Sequence, residues 1–141
     1  MPRHPLLALA FLAGCSAGAQ VQAAEPSPAW RVIDGDTIED EATGERIRLV
    51  NIDTPETGPR ARCAAERQLG DRATQRARVL IAAASRVEIA RTGRSDRYQR
   101  TIAFIRVDGR DFGEQMIAEG LARPWRGRRE PWCSADGALI P

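Results

Sequence analysis

The chain has 141 residues, 43% hydrophobic and 28% charged, with 21 basic against 19 acidic side chains and a formal net charge of +2. That suits about one compact domain of ordinary globular make-up, and the small net charge does not by itself announce a polyanion binder. Every basic residue is Arg and the only His is His4, which excludes lysine Schiff-base chemistry and, beyond the N-terminal leader, Ser-His and Cys-His mechanisms.

At the N-terminus, Arg3 precedes a short apolar run from Leu6 to Ala13. This reads as an export signal over residues 1–24, because the run is too short to cross a bilayer. Two processing routes compete. Leu12 to Cys15 (LAGC) fits a bacterial lipobox, with Cys15 lipidated and anchored to a membrane. Val21 to Ala24 (VQAA) fits ordinary signal peptidase, with a cut near 23–24. Residues 25–29 form a tether, 30–133 the folded domain, and 134–141 a tail. Both routes place the domain outside the cytoplasm, whether periplasmic, lipid-anchored or secreted. In such an oxidising compartment Cys63 and Cys133 favour a disulfide.

Three strands come first, Trp30 to Asp34, Asp36 to Asp40 and Arg46 to Ile52, joined by Gly-containing turns. In the third, Ile47 and Leu49, then Asn51, share one face, leaving Arg46, Arg48, Val50 and Ile52 on the other. Arg48 therefore sits among apolar neighbours and needs a partner or a task. A helix follows, with Ala73, Ala77, Leu80, Ile81 and Ala84 at helical spacing. Its start lies either at Ala64 or near Gly70, which weakens the longer version. Arg86 to Arg91 reads as a fourth strand, Thr92 to Arg100 as a polar loop, and Thr101 to Val107 as a fifth strand. Asp111 caps a second helix that Gly120 stops. The Arg- and Trp-rich tail from Ala122 has no period. The fold class is mainly β with helices, β-β-β-α-β-β-α, the order of a five-stranded Greek-key OB barrel.

A curled meander brings the first inter-strand turn to the end of the third strand. Asp36 and Asp53 then offer carboxylate oxygens to a common point. Oxygen ligands without His or Cys suit a hard cation such as calcium, whereas two converging carboxylates alone would repel. Taken one at a time, Asp-Gly and Asp-Thr-Pro-Glu are ordinary turn sequences.

In order and spacing, VIDGDTI, RLVNIDTPE, DRYQRTIAFIRVDG and AEGLAR resemble the staphylococcal nuclease (thermonuclease) family. The resemblance implies an OB-fold enzyme that uses Ca2+ to hydrolyse DNA and RNA, leaving 3′-phosphate ends. It assigns Asp36, Asp53 and the Thr54 carbonyl to the metal, and Arg48 and Arg100 to the phosphate. Glu56 activates or positions the water, and Asp34 lies in the outer shell. Arg97 and Tyr98 fall near the nucleotide's terminal phosphate. The tail departs from the family pattern, and Trp125 and Trp132 either supply base stacking or plug the barrel end. Arg123, Arg126, Arg128 and Arg129 either attract the polyanion or form a solvated tail held by Cys133. The implied partners are DNA and RNA, single-stranded or denatured favoured, for a monomer without a protein partner. The alternative is a non-catalytic OB module binding single strands, which has no need of Glu56 beside a metal pair.

Overall fold

The computed structural model describes residues 29–140. The expected export signal, Cys15 and residues 25–28 of the expected tether lie outside the described residues. Strands β1 (Trp30–Asp34), β2 (Thr37–Asp40) and β3 (Arg46–Leu49) form the expected antiparallel meander. They are followed by β4 (Ile52–Asp53), a single 3-10 turn (Gly58–Arg60) and helix α1 (Ala64–Ala82). Then come β5 (Val87–Ser95), β6 (Thr101–Val107), β7 (Arg110–Asp111), helix α2 (Phe112–Ala118) and β8 (Arg123–Pro124).

The main sheet runs β1-β2-β3-β6-β5, with β7 added to β6. Among the described residues only the β3–β6 pairing is parallel. The antiparallel meander, the helical crossover and the parallel β3–β6 contact give OB-type connectivity. The five principal strands curl as a half-barrel, and among the described residues no ladder joins β5 to β1.

Apolar alternation places Ile38, Ile47, Leu49, Ala103, Ile105 and Val107 on the concave face, where α1 and α2 contribute Ala73, Ala77, Ile81, Phe112 and Met116. Each large side chain so buried contributes about 1.5–3 kcal/mol. Beyond the buried Glu66 in its first turn, the buried face of α1 is Gly70, Ala73, Thr74, Ala77 and Ile81, a stripe of mostly small residues that lets the helix approach the sheet closely.

Two local expectations change, at β3 and β5, and the open choice of where α1 starts is decided. The alternation expected through Ile52 breaks at Val50 and Asn51: β3 ends at Leu49, the chain bends, and Ile52 turns inward to complete burial. The Asn51 carbonyl accepts from the Trp125 backbone amide at 2.9 Å, which docks the tail at that bend. Helix α1 takes the earlier start, with Cys63 as N-cap. The fourth strand continues past Arg91 to Ser95, absorbing part of the expected loop.

The Cys63–Cys133 disulfide is present, with Cα atoms 6.2 Å apart. It closes a loop of 70 residues, for which chain entropy predicts stabilisation of roughly 3–5 kcal/mol.

Candidate active site

The acidic pair arises from two tight backbone events. At the β1–β2 turn the register shifts between Val32 and Asp34, and Gly35 passes against the next segment. A Cβ at Gly35 would stand 2.9 Å from Thr54 Cγ2 and 3.0 Å from Ala73 Cβ. This close approach seats Asp36 beside Thr54. One Asp36 oxygen accepts from the Thr54 amide at 3.1 Å and its hydroxyl at 2.9 Å. The other accepts from the Thr37 hydroxyl at 3.0 Å. Both carboxylates are buried, Asp36 at 6% exposure and Asp53 at 5%.

Arg48 joins them. A single guanidinium nitrogen lies 3.2 Å from Asp36 and 3.8 Å from Asp53, while the other donates to the Leu49 and Ile52 carbonyls. The partner required for a charged residue on that face is thus the acidic pair itself. Asp53 Oδ2 accepts from the Trp132 indole at 3.1 Å. Among the described residues its buried Oδ1 has no hydrogen-bond partner, although Arg48 and Arg129 nitrogens stand 3.8 and 3.6 Å away. Burial, reinforced by Asp36, raises the Asp53 pKa above the ordinary carboxylate value against the pull of Arg129, Trp132 and Arg48. Asp34 is pushed up to about 6 by burial and then by the charge of Asp36; it also accepts from the Asp36 amide at 3.2 Å.

An orphaned carboxylate oxygen beside a second carboxylate and a backbone carbonyl fits a hard cation. Among the described residues no group of three acidic, thiol or imidazole side chains could hold a metal unaided. The donor set that fits is therefore Asp36, Asp53 and the Thr54 carbonyl, with water filling the remaining positions.

Glu56 lies next along the same loop, partly exposed, between Arg60 at 3.2 Å and Arg129 at 2.7 Å. Its backbone amide donates to the buried Glu66 carboxylate at 3.1 Å, which also accepts from the Arg62 amide at 2.7 Å. Arg100 approaches from the β5–β6 connection and reaches the Thr37 hydroxyl at 3.2 Å. Asp96 aims it: one carboxylate oxygen takes the Arg100 Nε at 2.7 Å, the other the Tyr98 and Arg100 amides. Gln99 adopts φ 61° to make the turn, a left-handed conformation uncommon for a residue with a Cβ. Tyr98 is 62% exposed, with the Arg97 and Arg100 guanidinia 4.7 and 5.4 Å from its ring centroid. The acidic pair, Arg48, Glu56, Tyr98, Arg100 and Trp125 line one open groove of about 1030 Å³.

The tail divides its two tryptophans. Trp132 is buried and serves Asp53, with the Arg123 guanidinium 3.6 Å from its ring centroid. Trp125 is 39% exposed, 5.9 Å from Arg48 across the groove. Arg129 is neither a purely solvated charge nor free for a polyanion, since it reaches Asp53, the Thr54 carbonyl, Glu56 and Glu66.

All residues expected at the metal, the phosphate and the water thus meet in one groove. Sequence reasoning missed Glu66, Asp96, Arg60 and the engagement of Arg129. Glu66 stands three residues after the helix cap Cys63, a spacing that marks a helix-start carboxylate. No comparable signal exists for Arg129.

Comparison with known proteins agrees with this geometry. The profile described as staphylococcal nuclease homologue matches residues 46–136. Endonuclease YncB of Bacillus subtilis (strain 168) is 35% identical over 96 residues, covering 66% of this chain and 44% of that protein. The SPbeta prophage-derived endonuclease YokF of the same organism is also 35% identical over 96 residues, covering 66% and 32%. Thermonuclease of Staphylococcus intermedius is 34% identical over 102 residues, covering 66% and 55%. The chain thus spans between 32% and 55% of the length of these curated relatives. Because the profile runs from β3 through the disulfide and takes in Arg48, Asp53, Glu56 and Arg100, this chain belongs to the staphylococcal nuclease homologue family.

Proposed function

We propose that the chain is a calcium-dependent nuclease that hydrolyses phosphodiester bonds of DNA and RNA and leaves 3′-phosphate ends. The observation that carries this reading is the buried, hydrogen-bond-free oxygen of Asp53, next to Asp36 and the Thr54 carbonyl, in a groove that also holds Arg48, Glu56 and Arg100. Relatives named as endonucleases and thermonuclease support it.

Asp36, Asp53 and the Thr54 carbonyl would hold the cation, and Asp34 steadies Asp36 through its amide. When bound, the cation neutralises and orients the phosphodiester as a Lewis acid. Glu56 accepts a proton from a water that attacks phosphorus, and its partial exposure lets solvent reach it. As the water oxygen bonds to phosphorus, the bond to the 5′ oxygen breaks, and that oxygen leaves as a hydroxyl by taking a proton from solvent, to which Glu56 returns the one it accepted. Arg48 and Arg100 hold the non-bridging oxygens while negative charge builds there. Arg97 and Tyr98 receive the terminal phosphate, and Trp125 offers an exposed face for a base. Unstacked, single-stranded or denatured substrates suit that arrangement. The protein acts as a monomer and outside the cytoplasm, the second assignment being supported by its disulfide.

The experiment is cleavage of an end-labelled single-stranded oligonucleotide with calcium present. Products that become ligatable only after 3′-phosphatase treatment support the proposal; 3′-hydroxyl products overturn the assigned bond cleavage.

A further inference from the structure

The tail residue Arg129 stands where a cation would be expected. Its Nη1 lies 2.7 Å from Glu56 and 3.6 Å from Asp53. Its Nη2 donates to the Thr54 carbonyl at 3.0 Å and lies 4.0 Å from Glu66. A single guanidinium therefore meets two of the three donors assigned to the metal, together with the carboxylate assigned to the water. Its side chain is 44% exposed, so it can leave without opening the core.

The tail is built to deliver this group. The Trp125 amide is bonded to Asn51 at one end, and at the other Trp132 packs beneath Asp53 and Cys133 is tied to Cys63. Arg129 lies between these two anchors. The adjacent Arg128 is 81% exposed and, among the described residues, reaches only Glu130, at 3.9 Å, so the inward placement belongs to Arg129 rather than to tail charge in general.

We propose that Arg129 is an internal competitor for the divalent cation, a tethered guanidinium that neutralises the cradle when metal is absent and must swing out before metal binds. The inference rests on the reading of Asp36, Asp53 and Thr54 as a cation site. The two charges cannot share Asp53 Oδ1 and the Thr54 carbonyl, so binding is weakened by the fraction of molecules in which Arg129 is seated. Arg129 thereby sets the calcium concentration at which the site fills.

The test is calorimetric titration of calcium chloride into the disulfide-intact full chain, comparing wild type with Arg129→Gln, Arg129→Met and Arg60→Gln. Arg60 lies 3.2 Å from Glu56 and serves as a control that removes equal charge without vacating the cradle. Both Arg129 variants are expected to bind calcium about fivefold more tightly, with Arg60→Gln changing affinity by clearly less. Metal-free melting should fall in the Arg129 variants, while calcium-loaded melting stays at the wild-type value. Unchanged or weaker calcium binding in both Arg129 variants, or equal tightening in Arg60→Gln, overturns the competitor role while leaving the cation site standing. If no protein binds calcium, the cation site itself falls, and the competitor with it.

Discussion

Gly70 of α1 lies against the backbone of Glu56: a Cβ added there would sit 2.5 Å from the Glu56 carbonyl oxygen and 2.8 Å from that of Pro55. A glycine in mid-helix normally costs about 1 kcal/mol relative to alanine. Here it lets the helix brace the loop that carries Glu56. Gly70→Ala should therefore destabilise by about 1–3 kcal/mol despite better helix propensity, and it should lower activity by shifting Glu56. Urea unfolding together with an activity assay checks both; a gain in stability would show that the loop can yield.

Glu56→Gln removes the proton acceptor but keeps side-chain size. Turnover should drop about 10²–10⁴-fold, with affinity for a single-stranded oligonucleotide nearly unchanged. Filter binding and initial-rate measurements separate the two. Wild-type turnover in this variant would remove Glu56 from the reaction.

Asp96 touches Arg100 and its own loop rather than the acidic pair. Asp96→Ala should leave melting close to wild type and cut kcat by about tenfold to a hundredfold, because a misplaced charge loses transition-state contact. Arg100→Ala in the same background should add little further loss, since neighbouring residues in one network are not additive. Fully additive losses in the double-mutant cycle would mean that Asp96 does not act through Arg100.

Two carboxylates give the metal-free protein opposing pH dependences. Glu45 is pulled from 4.5 to about 2 by hydrogen bonds from Arg91 and then Thr101. A lowered folded pKa stabilises above pH 4.5, and the effect is lost as pH falls through about 2. Asp34 is raised from 3.8 to about 6. Its folded form holds the proton more tightly, so stability declines as pH rises from 3.8 through about 6. Melting in EGTA should therefore reach a maximum near pH 4–5. Asp34→Asn should flatten the decline above that range, and Glu45→Gln the loss below it. A decline unaltered by Asp34→Asn would place its source elsewhere.

Much of this was legible because single residues carry it locally. Period-two alternation marks β3 as far as Leu49, Asp111 caps α2 as expected, and Asp36, Arg48, Asp53 and Glu56 fall in short motifs whose spacing survives folding. The misreadings have a common cause in contacts between distant segments. Gly70 only weakens the case for the longer helix until the Glu56 backbone is seen against it. Val50 and Asn51 continue an alternating pattern, yet the chain bends there because β4 pairs with β8 of the tail. The tail is aperiodic because, among the described residues, its sheet pairing is limited to Arg123–Pro124 and an isolated Cys133–Leu139 bridge, with Trp132, Cys133 and Arg129 also held by side-chain contacts. Nothing local in its sequence separates Arg129 from the exposed Arg128.

The most direct measurement is digestion of denatured DNA by wild type and Asp53→Asn across a calcium series buffered with EGTA. The account predicts that wild-type cleavage rises with free calcium and stops in excess chelator, and that Asp53→Asn stays inactive at calcium levels saturating for wild type. Equal digestion with and without free calcium would contradict it.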